Sequence, residues 1–183
     1  MTTKKKAIFL DRDGVINKEI NYLHKIEDFE FTENCISALK ILQAHDYLLF
    51  IITNQAGIGR GYYTESDFHH LNDWMLAILE EQDINITEVQ FCPHHAEHGV
   101  GEYKIDCECR KPKAGMLISL IEKYHIDIEN SILVGDKLSD IGAGEIAKIN
   151  TLVLVKSGHK LPENIPTSVN GVYKNLAEFA DSL

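Results

Sequence analysis

The sequence predicts an α/β fold, a doubly wound parallel sheet of Rossmann-like type, in a single domain over residues 1–183. Three observations predict it. Short apolar runs at 7–10, 47–52, 131–134 and 151–155 have the length of buried strands. Segments with apolar residues at helical spacing alternate with them, the order that builds a parallel sheet. Several runs end abruptly in polar residues, and ligands of an open parallel sheet bind just beyond the carboxyl ends of its strands.

The first run ends in Asp11-Arg12-Asp13-Gly14. Two carboxylates this close repel each other unless a cation or proton lies between them. Their oxygen-only donor set suits a hard ion such as Mg²⁺. From 15 to 31 the chain is polar and irregular, carrying Glu19, Ile20, Asn21, Tyr22 and His24. Thr32 reads as the N-cap of a helix bearing Ile36, Leu39 and Leu42. The strand at 47–52 ends at Thr53-Asn54-Gln55-Ala56, and Gly57, Gly59 and Gly61 predict an open turn.

Thr64 with Asp67 resembles a capping box. It opens a helix whose apolar positions are Phe68, Leu71, Met75, Ile78 and Leu79, with Trp74 beside them in the core. A strand near 89–91 leads to Cys92, and an irregular loop runs from there to Cys109. Pro112 precedes a helix with Leu117, Leu120, Ile121 and Tyr124. Gly135-Asp136 breaks the next strand, and Ser139 is expected to cap a helix with Ile141 and Ile146. After the strand at 151–155, Gly171-Val172-Tyr173 adds a short edge strand before a last helix from about Leu176.

Composition narrows the function. The 183 residues suffice for one well-buried domain, and 44% hydrophobic with 25% charged content is ordinary for a globular protein. A formal charge of −10 argues against general nucleic-acid binding, since no basic stripe would neutralise phosphates. The four apolar residues after Met1-Thr2-Thr3-Lys4-Lys5-Lys6 are too few for a signal-peptide core, and nothing reaches transmembrane length. The expected compartment is the cytoplasm, with no membrane partner.

In a reducing compartment clustered cysteines read as metal ligands before disulfides. Cys92-Pro93-His94-His95 and Cys107-Glu108-Cys109-Arg110 bracket one loop, with His98 between them. Three thiolates and an imidazole make a closed tetrahedral Zn²⁺ site, which is structural. His94, His95 and His98 are all candidates for the imidazole, and a redox pair of Cys107 and Cys109 is the alternative. Cys35 stands apart on an apolar helix face, as a small core residue.

Four sites, Asp11/Asp13, Thr53, Arg110/Lys111 and Asp136/Lys137, would converge at one rim of the sheet. In order and residue type they resemble the haloacid dehalogenase superfamily of phosphatases. The resemblance implies a phosphoryl-transfer site. Asp11 would be the nucleophile that forms an aspartyl-phosphate, and Asp13 the general acid and then base. Mg²⁺ would be held by Asp11, the backbone carbonyl of Asp13, and Asp136. Thr53 and Lys111 would hold phosphoryl oxygens. Many members carry a second acid where Lys137 stands, so here a positive charge faces the substrate. Asp140 is either a helper of the site or simply an acid at a helix N-terminus.

With the metal loop included, Phe9–Gly14, Thr53-Asn54-Gln55, Cys92–His95, Cys107–Pro112 and Gly135-Asp136-Lys137 resemble one branch, the D-glycero-D-manno-heptose 1,7-bisphosphate 7-phosphatases. These share ancestry with histidinol-phosphate phosphatases. The resemblance implies no cap domain, structural Zn²⁺ on Cys92, His94, Cys107 and Cys109, and Arg110 gripping the substrate's second phosphate. It implies sugar contacts from Glu19, Ile20, Asn21, Tyr22, Asn54, Gln55 and Ala56. The expected partner is a small phosphorylated sugar, the expected state a monomer, and the pathway one that supplies activated heptose for lipopolysaccharide. The rival substrate is histidinol phosphate, whose far end is cationic. A nucleic-acid 3′-phosphatase and a catalytically silent zinc-binding module are the remaining readings.

Overall fold

The computed structural model describes residues 4–183; Met1, Thr2 and Thr3, which open the N-terminal stretch read above, lie outside them. Six parallel strands form one sheet: β1 (Ala7–Leu10), β2 (Leu48–Asn54), β3 (Ile86–Cys92), β4 (Ile132–Gly135), β5 (Thr151–Val155) and β6 (Gly171–Tyr173). Their order is β3-β2-β1-β4-β5-β6. Phe9 of β1 pairs with Phe50 of β2 on one side and Leu133 of β4 on the other. The chain reverses its winding at β1, so the crevice beyond that strand is the topological switch point.

Alternation along β1 splits the core. Ile8 and Leu10 face a layer containing Leu39 and Leu42 of α1 (Cys35–Ala44), Leu71, Met75 and Leu79 of α3 (Glu65–Glu81), and Leu176 and Phe179 of α6 (Leu176–Asp181). Ala7 and Phe9 face Leu117 and Leu120 of α4 (Gly115–Tyr124) and Ile141 of α5 (Leu138–Ile146). All four β1 residues are fully buried, the pattern of a strand covered on both faces. Trp74 is half-buried against the first layer, edge-on to Phe29.

Four local expectations are corrected. Thr32 is not a helix cap: its hydroxyl donates to Val15 O at 2.7 Å, and α1 starts at Cys35 behind left-handed Asn34. The buried carbonyl competes successfully for the hydroxyl, which thereby anchors the irregular 15–31 stretch. Gly57 and Gly59 do not hold a turn open but lie in a short buried helix, α2 (Ala56–Gly59). A Cβ on Gly57 would lie 2.1 Å from Tyr63 Cε1, so glycine there serves close packing. Ser139 does not cap α5; that helix begins at Leu138, and Asp140 receives the backbone N–H groups of Asp136 and Lys137. Ile146, expected on the apolar face, is exposed.

Between β3 and α4 the chain forms the cysteine loop, and among the described residues no separate folded cap covers the rim. Among the described residues no helix is long and apolar enough to cross a membrane.

Candidate active site

Asp11 immediately follows β1 and is tied to β4 by its N–H bond to Val134 O, 3.0 Å. Lys111 reaches it from beyond the cysteine loop. The buried Nζ lies 3.0 Å from Asp11 Oδ1 and 2.7 Å from Asp140 Oδ1, and donates to Ile52 O at 2.8 Å. All three ammonium protons therefore have acceptors. Asn54, at the end of β2, fixes the lysine backbone: its Oδ1 accepts from Lys111 N and its Nδ2 donates to Lys111 O, both at 3.1 Å. Asp140 joins both readings offered for it, since one oxygen takes helix N-terminal amides and the other holds Lys111.

Burial pushes the Asp11 carboxyl up to about 6, with the Lys111 charge working against that rise. Burial alone would lower the Lys111 pKa, but Asp11 and Asp140 outweigh it and hold the ammonium charged, above its ordinary value.

Asp13 sits in a different environment. Buried Arg12 places Nη2 3.0 and 3.1 Å from its two oxygens, Asn17 Nδ2 donates at 3.0 Å and Gln55 Nε2 at 3.1 Å. Burial raises the Asp13 pKa, yet the Arg12 charge and these donors overcome it and hold the carboxyl below its usual range. Thr53 is fully buried beneath, its Oγ1 accepting from Gln55 Nε2 at 2.8 Å and lying 3.5 Å from Asp13 Oδ2. The two acids of one Asp-x-Asp are thus set in opposite directions by their neighbours.

Asp136, at the end of β4, is wholly buried. Its Oδ2 accepts from the His159 N–H at 2.9 Å and lies 2.6 Å from His159 Nδ1, while Oδ1 has no hydrogen-bond partner. Burial and the nearby Asp11 charge raise its pKa. Oxygens of Asp11, Asp136 and Asp140 come within 4.8 Å of one another. An orphaned buried carboxylate oxygen beside a second carboxylate is a donor set that fits a hard divalent cation. Both oxygens of Asp140 are engaged, one by Lys111 and the other by the Asp136 and Lys137 amides, so Asp11 and Asp136 are the side chains that could hold such an ion.

The cysteine loop brings Cys92, His94, Cys107 and Cys109 together. Cys109 Sγ lies 2.8 Å from Cys92 Sγ, 3.2 Å from Cys107 Sγ and 3.4 Å from His94 Nδ1; Cys92 Sγ is 3.4 Å from Cys107 Sγ and 3.8 Å from His94 Nδ1. Four soft donors at the corners of a small tetrahedron fit Zn²⁺ with ligands at about 2.0–2.3 Å. His95 is not among them: its Nδ1 accepts from the amides of Glu97 and His98.

Above Asp11 a cavity of about 290 Å³ is lined by Asp11, Asp13 and Lys111. Glu19, Ile20, Asn21, Tyr22, Asn54, Gln55, Ala56, Arg110 and Lys137 line the same cavity. Thr53 and Asp136 do not line it; both are buried below the surface. The side-chain amides of Asn54 and Gln55 are already engaged, with Lys111 in one case and with Asp13, Thr53 and Tyr63 in the other. Burial and the Asp13 charge push the half-buried Glu19 carboxyl up to about 7. Sequence reasoning missed Tyr63, Ser139 and His159 on these walls. For His159 a signal existed in its place: Ser157-Gly158-His159 comes shortly after the apolar β5 as Asp136 comes after β4.

A parallel sheet with Asp-x-Asp-Gly after its first strand, a buried lysine on the first acid and a further acid after β4 defines a phosphatase of the haloacid dehalogenase type. Residues 6–164 match the family model described as polynucleotide kinase 3 phosphatase. The D-glycero-alpha-D-manno-heptose-1,7-bisphosphate 7-phosphatase of Photorhabdus laumondii is 53% identical over 94% of this chain and 92% of its own. The D-glycero-beta-D-manno-heptose-1,7-bisphosphate 7-phosphatase of Pasteurella multocida is 46% identical over 95% and 94%. Among solved structures, D,D-heptose 1,7-bisphosphate phosphatase from B. bronchiseptica, complexed with magnesium and phosphate, superposes with a TM-score of 0.82. Its identity is 27%, with 97% of each chain covered. The chain belongs to this phosphatase family and, within it, to the heptose-1,7-bisphosphate 7-phosphatases; it is a phosphoric monoester hydrolase.

Proposed function

We propose that the chain removes the 7-phosphate of D-glycero-D-manno-heptose 1,7-bisphosphate, leaving the 1-phosphate, through an aspartyl-phosphate on Asp11. The observation that carries this reading is a single cavity holding both the Asp11–Lys111 pair and two further cations, Arg110 and Lys137. A bisphosphate needs positive charge at its reacting end and at its far end. Arg110 donates to His94 O at 3.3 Å and still reaches the cavity wall, so the cysteine loop sets its place.

In the first step Asp11 attacks phosphorus and the sugar oxygen leaves, receiving a proton from Asp13, which has to enter this step protonated against the ionised state its neighbours favour. In the second, Asp13 takes a proton from the water that attacks the aspartyl-phosphate. The ionised state that Arg12, Asn17 and Gln55 favour is the form this second step requires. Lys111 holds phosphoryl oxygens and neutralises the nucleophile before substrate arrives, while Thr53, buried beneath the cavity, supports Gln55 and Asp13 from below. Asp11, the Asp13 carbonyl and Asp136 would hold Mg²⁺, which supplies positive charge to the transferring group. Zn²⁺ on Cys92, His94, Cys107 and Cys109 would be structural, ordering a loop with little apolar anchoring just before Arg110 and Lys111. The enzyme acts as a single-domain monomer in the cytoplasm, on the route to activated heptose for lipopolysaccharide.

One feature favours histidinol phosphate instead: Glu19 places an acid on the cavity wall, where a cationic amine could sit. Nucleic acid is disfavoured by the charge of −10. Comparing kcat/KM for both anomers of the heptose bisphosphate and for histidinol phosphate separates these readings. A preference for the heptose of about tenfold or more, worth about 1.4 kcal/mol, is expected; a preference for histidinol phosphate rejects the proposal.

A further inference from the structure

We infer that His159 is a positioning residue for Asp136, fixing one of its carboxylate oxygens so that the other is presented to the magnesium ion. The inference rests on the metal role proposed above for Asp11 and Asp136. It concerns a residue outside the four motifs.

β5 lies next to β4 in the sheet, so the turn after it runs alongside Asp136. Ser157 Oγ donates to Gly14 O at 2.6 Å and ties this turn to the one after β1. A Cβ on Gly14 would lie 2.5 Å from Asp136 Oδ2 and 2.8 Å from Gly158 Cα; a Cβ on Gly158 would lie 2.0 Å from the same oxygen. Two facing glycines therefore let the turns close directly on one carboxylate. His159 then supplies two donors to a single oxygen, its N–H at 2.9 Å and its ring Nδ1 at 2.6 Å. An ionised carboxylate oxygen can only accept, so Nδ1 carries the proton in this bond.

The last torsion of an aspartate is soft and broad. Two donors converging on Oδ2 fix that torsion and leave Oδ1 without a protein partner beside Asp11. Hydrogen bonds of this kind orient a ligating group, and losing one typically weakens metal binding about 10–100-fold. Glu19 lies close enough to Asp136 and His159 that its carboxylate and the imidazole could instead be direct ligands of one ion. The experiment separates that arrangement from positioning.

Mg²⁺ is titrated calorimetrically into the full-length wild type, His159→Ala and His159→Asn, with thermal melts to verify folding. Asparagine keeps a donor near the place of Nδ1. The expected result is a dissociation constant about tenfold weaker for His159→Ala and within about threefold of wild type for His159→Asn. With Mn²⁺ as the probe, electron spin echo spectra should show no directly bound nitrogen. Unchanged Mg²⁺ affinity in folded His159→Ala overturns the inference, as does a nitrogen coupling from bound imidazole. If the wild type itself binds no Mg²⁺, the metal reading beneath it falls as well, a result distinct from an indifferent His159→Ala.

Discussion

The strand-end rim and the cysteine loop adjoin in sequence at Cys109-Arg110-Lys111, yet they are held together by different means. At the rim, polar groups from four stretches of chain satisfy one another: Lys111 with Asp11 and Asp140, Arg12 with Asp13, His159 with Asp136. The sheet brings them together, and protein partners hold every oxygen of these carboxylates except Asp11 Oδ2 and Asp136 Oδ1. In the loop, only Cys92 among the four donors is fully buried, and the three thiols lie 2.8–3.4 Å from one another. Topology orders the rim, whereas on the zinc reading proposed above the loop would draw its order from a bound ion.

This contrast predicts that damage at the rim should spare the loop, while damage to the loop should reach the rim through Arg110 and Lys111. The largest effect is expected for Asp11→Asn, which should lower kcat by about 10⁴-fold or more while zinc content by metal analysis stays at one per chain. Stripping zinc with a chelator, or replacing Cys109 by Ser, should lower both the melting temperature and kcat/KM, the latter by about 100-fold. Added Mg²⁺ should not restore the loss. If full activity survives without zinc, the rim does not depend on the loop.

Arg110→Ala tests the junction more finely. Losing a charge-assisted contact worth about 1.5–3 kcal/mol should raise KM for the bisphosphate about 10–100-fold, with kcat little altered. A sugar monophosphate lacking the second phosphate should be indifferent to the change.

The rim should also respond to pH in a way the loop's thiolates do not explain. Because burial pushes Asp11 up to about 6, protons compete with the cation as pH falls through that value. Mg²⁺ affinity measured at pH 5 should therefore be about tenfold weaker than at pH 7, and level above pH 7. The smallest effect is expected for Asn54→Ala, which removes two bonds to the Lys111 backbone: kcat/KM should fall about fivefold with zinc retained.

Legibility followed the same division. The buried strands announce themselves as apolar runs, and the polar residues just past them, Asp11, Thr53 and Asp136, lie at strand ends because a parallel sheet has one ligand-bearing edge. The cysteine cluster was legible because its donors lie close in sequence. What escaped depends on distant partners. Thr32 has the composition of a cap, but Val15 O claims its hydroxyl. Gly57 looks like a turn residue until Tyr63 packs against it. Asp140 could not be assigned one role because it serves two, and its bond to Lys111 joins α5 to the segment before α4. His159 was marked only by its place after β5 and not by its residue type, since that strand's polar end lacks an acid.

The central claim is that Asp11, not a metal-activated water acting alone, bonds to phosphorus. Acid-quenching the enzyme during turnover of the heptose bisphosphate, reducing with borohydride and mapping peptides by mass spectrometry tests it directly. Reduction of an aspartyl-phosphate to homoserine at position 11, absent without substrate, is the predicted result. Phosphate trapped on any other side chain would contradict the account.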